Sequence, residues 1–289
     1  MTSASARTAI LFPGQGSQTA AMGAVAAAEC PRLVERARAV LGFDPFERVD
    51  EGTHVAQPAI YVAGLAYLRR AGEPRGELIA GHSLGELAAL VAGGALDPEA
   101  GLELAIERGR LMEEAAREVP GGMLAALGGD DEEVAALARR LGLTVANDNA
   151  PGQVVLSGPA EAIGAARREL RAAGVKAIRL PVAGAFHSPL MEGAAERFRA
   201  VLATVEFRPP RVPVYSSTAA APFADPREGL AAALTAPVRW RDTLAALRDA
   251  GAATFLEAGP GDVLTGLVRR TLEGVEARSL ASEPEAVHA

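Results

Sequence analysis

The stretch Glu77-Leu-Ile-Ala-Gly81-His82-Ser83-Leu84-Gly85-Glu86 decides the fold. It begins as a short apolar run that reads as a buried strand. It runs on into Leu87, Leu90 and Val91, which are spaced as on a helix. Gly81 to Gly85 thus matches G-x-S-x-G between a strand and a helix, the setting a nucleophile elbow requires. So tight a turn lifts the Ser83 hydroxyl above the sheet edge, and the flanking glycines remove side chains that would collide there. The N–H groups at the helix start face a developing oxyanion. The same five residues also suit a plain glycine-rich turn. His82 reads either as a residue facing the site or as part of that turn.

On the N-terminal side, Thr8–Phe12 is a second short apolar strand that stops at the turn Pro13-Gly14-Gln15-Gly16. Helical spacing follows to about Leu41 and again over Gln57–Arg70. Asp97-Pro98-Glu99 starts a further helix, with an N-cap Asp and Pro in the first turn, that runs to about Arg117. From Pro120 the texture changes. Strand-like Gly122–Leu127, Leu143–Asn147, Val154–Leu156 and Val175–Val182 alternate with helix-like Asp131–Arg140 and Pro159–Ala172, the β-α-β-β-α-β order of a ferredoxin-like unit. Beyond it lie a helix from Ser188-Pro189 to about Ala203, a strand over Val212–Tyr215, a helix over Trp240–Ala250, a strand over Thr254–Glu257 and a helix from Gly259-Pro-Gly261 to Leu272. Strands alternating with helices imply a parallel sheet wrapped by helices. The expected architecture is α/β. Residues 1–119 and 183–289 form one large catalytic domain, and 120–182 a small ferredoxin-like domain inserted in it.

Composition narrows the function. The 289 residues carry 29 Lys+Arg against 36 Asp+Glu, a net charge of −7, which argues against a phosphate-gripping nucleic-acid binder. Lys176 is the only lysine. The single cysteine, Cys30, excludes a disulfide framework and a Cys-based zinc site. With His54, His82, His187 and His288 as the only histidines, and His288 in a tail, a multi-His metal centre is not expected. Met1–Ala9 does not read as a signal peptide, and no 18-residue apolar stretch lacks charges, so a soluble, cytoplasmic protein without a membrane span is expected.

Two further residues suit a serine site. His187, in Gly184-Ala-Phe-His187-Ser-Pro, follows a strand and precedes a helix, at the carboxyl edge where α/β sites form. It reads as the base for Ser83, or as a helix-flanking histidine with a satisfied hydrogen bond. No acidic third member carries a motif, although Asp225, Asp242 and Asp262 are possible by chain order. Arg108 falls on one helix face with Leu104, Ala105, Leu111, Met112 and Ala115. A buried guanidinium must meet an anion or carbonyl groups. It is therefore either half of an internal salt bridge or a clamp for a substrate carboxylate.

The ordered set Phe12-Pro-Gly-Gln-Gly16, Gly81-His-Ser-Leu-Gly-Glu86, Glu107-Arg108-Gly109, Asn149-Ala-Pro-Gly-Gln153, Phe186-His187, Pro237-Val238-Arg239-Trp240 and Gly259-Pro-Gly261 resembles the malonyl-CoA:acyl carrier protein transacylases over almost the whole chain. That resemblance implies an α/β-hydrolase-like core with a ferredoxin-like insert. It implies Ser83 as nucleophile, His187 as general base and acid, and Arg108 as the malonyl-carboxylate ligand. The N–H groups of Gln15 and Leu84 would form the oxyanion hole. The histidine would be oriented by a main-chain carbonyl around Arg239, where many relatives carry glutamine. Gln57 and Asn149 match family positions near the pocket, and His82 joins them as a candidate substrate-binding residue.

Gly184-Ala-Phe-His187 is similar to the His-Ala-Phe-His signature of malonyl-selective polyketide acyltransferases, with Phe186 closing the space an α-methyl would need. The implied partners are an acyl carrier protein and a CoA thioester, with malonyl-CoA as substrate and no permanently bound cofactor or metal. Arg167, Arg168, Arg171, Lys176 and Arg179 could supply a basic patch for an acidic carrier. Three alternatives stay open: a serine hydrolase or thioesterase on the same elbow, the transacylase subunit of a malonate decarboxylase, and a non-catalytic docking module.

Overall fold

The computed structural model describes residues 6–182 and 184–282; His288 lies outside the described residues. In chain order the elements are β1 (Arg7–Phe12), α1 (Met22–Glu29), α2 (Pro31–Leu41), α3 (Thr53–Arg70), β2 (Leu78–Gly81), α4 (Gly85–Ala92) and α5 (Pro98–Glu118). Next come β3 (Gly121–Leu127), α6 (Asp131–Arg140), β4 (Thr144–Ala150), β5 (Gln153–Pro159), α7 (Ala160–Ala172) and β6 (Lys176–Arg179). The chain continues through α8 (Glu192–Leu202), β7 (Val214–Ser216), β8 (Ala221–Pro222), α9 (Pro226–Ala232), β9 (Val238–Arg239), α10 (Trp240–Asp249), β10 (Ala252–Glu257), α11 (Val263–Thr271) and β11 (Glu276–Ser279).

The larger sheet has the order β11-β10-β1-β2-β7-β8 and is parallel except for the β7–β8 pair. Its central strands are apolar on both faces, as a parallel sheet covered by helices demands. Ile10 and Phe12 enter the core beneath α1, α3 and α4, while Ala9 and Leu11 pack with Trp240, Leu244 and Leu264 on the opposite face. α3 is buried on every side from Val55 to Tyr67, which makes it a core helix. α5 begins as expected, with the Asp97 carboxylate accepting from the N–H groups of Glu99 and Ala100.

The smaller sheet has the order β6-β3-β5-β4-β9. Its first four strands and two helices follow the β-α-β-β-α-β order, with α7 packed on the sheet around Ile163, Ala166 and Leu170. Two features differ from the sequence reading. β9, from the C-terminal part of the chain, joins this sheet parallel to β4, pairing Asn147 with Val238 and Asp148 with Arg239. The strand expected over Val175–Val182 stops at Arg179, because Pro181 has no N–H to offer a ladder. Leu180, Pro181 and Val182 line a cleft instead.

The loops that matter for chemistry follow β1, β2 and β10. These are neighbours in the sheet, so the turns Pro13–Gly16, His82–Leu84 and Gly259–Gly261 open at one carboxyl edge. Among the described residues, no helix is long and apolar enough to cross a membrane.

Candidate active site

Ser83 occupies the left-handed region, with φ +53, a costly conformation for a non-glycine residue. Its neighbours impose it. A Cβ on Gly81 would run into the backbone of Gly85 and Glu86, and a Cβ on Gly85 would strike the Phe12 carbonyl. The two glycines let the start of α4 sit directly on the end of β1. We expect Gly81→Ala to destabilise the fold by about 3 kcal/mol. The check is a lower urea midpoint at unchanged slope, and an unaltered midpoint would mean that the turn relaxes freely.

The elbow places the Ser83 Oγ 2.9 Å from the His187 Nε2. His187 also has positive φ, +57, and is 4% exposed. Its Nδ1 faces the carbonyls of Ala233 at 2.7 Å and Ala236 at 3.3 Å. Two acceptors there require a proton on Nδ1, which leaves Nε2 to accept the serine hydroxyl.

The orienting carbonyl is therefore not that of Arg239. The Arg239 carbonyl lies at the start of α10 and accepts the Thr243 hydroxyl at 2.8 Å. The cradle for His187 is the C-cap of α9 and the turn after it, where carbonyls lack intrahelical donors. The donor four residues beyond Ala233 would be residue 237, a proline without an N–H, so that carbonyl is left for the imidazole. The Leu234 carbonyl accepts the His187 backbone N–H at 3.1 Å, completing the grip. None of the three aspartates completes a triad: Asp225 caps α9, Asp242 pairs with Arg239, and Asp262 precedes α11.

Arg108, 3% exposed on α5, donates from Nη1 to the Gln57 Oε1 at 2.9 Å and from Nη2 to the Ser83 Oγ at 3.1 Å. Gln57 is fixed in turn by its amide nitrogen against the Met112 Sδ at 3.3 Å. The His82 ring has its Nε2 2.9 Å from the Asn149 Oδ1 and lies edge-on to Trp240. It thereby ties the elbow to β4. Phe186 is 5% exposed, and a Cβ on Gly184 would lie 2.5 Å from its ring, so glycine at 184 makes room for it. Gln15, Gln57, His82, Ser83, Leu84, Arg108, Asn149, Phe186 and His187 line one cleft of about 230 Å³, whereas Arg239 is exposed outside it. Among the described residues, the N–H groups of Gln15 and Leu84 have no hydrogen-bond acceptor.

Two positions near the site, Asn147 and Glu86, escaped the sequence reading. Asn147 lines the cleft beside Asn149, and their spacing of two on a strand is the signal that could have shown it. Asp148, between them, pairs with Arg241 at 2.7 Å. Glu86 is fully buried, and its Oε1 accepts the Ser217 N–H at 2.7 Å and the Ser217 hydroxyl at 2.9 Å. Its position in the first turn of α4 disguises it as an ordinary helix-start acid.

Burial dominates the electrostatics. It raises the Glu86 carboxyl to about 7, with Arg108 pulling the other way, and it lowers the Arg108 guanidinium to about 10. Burial first and the Arg108 charge second press the His187 imidazole down to about 3, so the ring is neutral at working pH.

An elbow serine whose hydroxyl lies against a neutral imidazole is the arrangement that nucleophilic catalysis requires. The chain belongs to the acyl transferase domain family, which matches residues 10–284. It is 38% identical to the polyketide biosynthesis malonyl CoA-acyl carrier protein transacylase PksC of Bacillus subtilis, over 92% of this chain and 98% of that one. It is 41% identical to the polyketide biosynthesis protein ThaF of Burkholderia thailandensis, over 96% of this chain but only 25% of ThaF. Among solved structures, the malonyl CoA-acyl carrier protein transacylase of Coxiella burnetii superposes with a TM-score of 0.88 at 33% identity, over 96% of this chain and 94% of that one.

Proposed function

We propose that this acyltransferase moves a malonyl group from malonyl-CoA to the phosphopantetheine thiol of an acyl carrier protein, for fatty acid or polyketide synthesis, by a ping-pong route through a malonyl ester of Ser83. The observation that carries the reading is Arg108, a buried guanidinium donating to the Ser83 hydroxyl with no carboxylate hydrogen-bonded to it among the described residues. A simple esterase has no use for a cation there. A malonyl group has a carboxylate to fill its remaining donors.

In this mechanism His187 takes the Ser83 proton as Oγ attacks the thioester carbon, and returns it to the CoA sulfur as the C–S bond breaks. The N–H groups of Gln15 and Leu84 receive the oxyanion. The carrier thiol then repeats the two steps in reverse order. Residues 120–182 act as a small domain that closes the cleft through Asn149 and Leu180–Val182. The exposed Arg167, Arg168, Arg171, Lys176 and Arg179 are its basic surface for an acidic carrier. The one cysteine is buried, which fits a cytoplasmic setting. Relatives support the acceptor class: a solved complex, PlMCAT:AntF, is described as a type II polyketide synthase carrier protein with its malonyl-transacylase.

The test is CoA release from malonyl-CoA without an acceptor. One equivalent per enzyme, followed by a stop, is expected; continuous release would make the protein a hydrolase. For Phe186→Ser we expect the malonyl-to-methylmalonyl ratio to fall about 10-fold or more, since one methyl is worth about 1–3 kcal/mol. The check is paired kcat/KM values, and an unaltered ratio would remove Phe186 from selectivity.

A further inference from the structure

We propose that the acyl group's own carboxylate, once paired with Arg108, supplies the negative charge that lets His187 take the serine proton. The substrate thereby stands in for the missing acid of the triad. The inference rests on the malonyl reading above and concerns how that reading selects its substrate.

The groups around the imidazole leave a gap in charge. On its Nδ1 side His187 meets only carbonyl dipoles, those of Ala233 and Ala236. On its Nε2 side lies the Ser83 hydroxyl, and that same oxygen accepts from the Arg108 guanidinium at 3.1 Å. The other titratable neighbour, His82, is kept neutral by burial and pairs with Asn149. Glu86 on α4 spends one oxygen on Ser217 and its other oxygen has no hydrogen-bond partner, so it makes no direct contact with Arg108 and acts on it only through space. Among the described residues, no carboxylate touches His187.

Proton transfer from Ser83 would therefore create an imidazolium facing a guanidinium across a single oxygen atom. Burial first, and the Arg108 charge second, lower the affinity of His187 for protons. The Arg108 N–H also occupies a lone pair of the attacking atom. A carboxylate arriving on Arg108 changes both conditions. It neutralises the cation that opposes the imidazolium, and it draws the guanidinium N–H away from Oγ. The Ser83 O–H bond then breaks toward Nε2 while the ester C–O bond forms. The proton later leaves on the departing sulfur, so the balance of the step is unchanged. A neutral acyl group gains neither effect. Selection against acetyl is thus exercised in the acylation step as well as in binding.

The experiment measures single-turnover acylation at saturating acetyl-CoA, with formate (the carboxylate that acetyl lacks) added against chloride at equal ionic strength. Formate is expected to raise the acetylation rate constant about 10-fold or more in the unaltered enzyme and to leave Arg108→Met unaffected. The acid limb of the rate is expected at least about one pH unit higher with malonyl-CoA than with acetyl-CoA, because the paired carboxylate raises the proton affinity of His187. Fast malonylation with no formate effect and coincident acid limbs would overturn the proposal and leave Arg108 a binding group only. Failure of malonyl-CoA itself to acylate Ser83 would instead sink the underlying function.

Discussion

Ser83→Ala is expected to lower malonyl transfer about 10⁵-fold or more, to the level that binding and the oxyanion donors alone can sustain. The hydroxyl is the one group that both accepts from Arg108 and lies against the Nε2 of His187, so nothing else in the cleft can take over the ester. The turn itself should survive, because its shape is imposed by Gly81 and Gly85 rather than by the serine side chain. Folding stability should therefore change by less than about 1 kcal/mol. The check is a paired measurement of transfer rate and thermal midpoint. A stable variant that retained a few per cent of the rate would mean that the acyl group passes to the carrier without a serine ester.

Arg108→Ala is expected to lower kcat/KM for malonyl-CoA by about 30- to several thousand-fold, the usual cost of about 2–5 kcal/mol for truncating one side of a buried charge pair. Acetyl transfer should lose far less, and equal loss for the two acyl groups would make Arg108 merely structural. A stability signature accompanies the kinetic one. Glu86, raised by burial to about 7, favours its neutral form in the folded state, so its contribution to stability is lost as pH rises from the ordinary carboxylate range through about 7. Arg108 offsets that loss once Glu86 is ionised. Arg108→Ala should therefore be more destabilised relative to the unaltered protein at pH 8 than at pH 5. The same difference at both pH values would show that the two groups are not coupled.

Local rules carried much of this molecule. The apolar run before Gly81, the N-cap at Asp97 and the β-α-β-β-α-β order between Gly121 and Arg179 all follow from spacing and turn chemistry within a few residues. They single out Ser83, in a turn after a strand-like run, and Arg108, which breaks an apolar helical stripe. His187 is expected at the same carboxyl edge, but the strand before it, β6, ends at Arg179 and belongs to the smaller sheet. What escaped depends on neighbours far apart in the chain. The carbonyls that hold His187 come from the turn just after α9, some forty-six residues on, and that of Ala233 is free because of Pro237. Glu86 is distinguished from any acid at a helix start only by Ser217, 131 residues away. β9 is two residues long, too short for any period to register, yet it joins the smaller sheet to the segment that cradles the histidine.

The central claim is a malonyl group carried on Ser83 between two thiols, and mass spectrometry of the acylated enzyme tests it most directly. Mixing enzyme with malonyl-CoA should add one malonyl group per chain, on the peptide containing Ser83, and adding carrier protein bearing its phosphopantetheine arm should discharge that ester onto the carrier thiol. Malonyl-carrier formation with no adduct on Ser83, or an adduct that water removes as fast as the carrier does, would contradict the account.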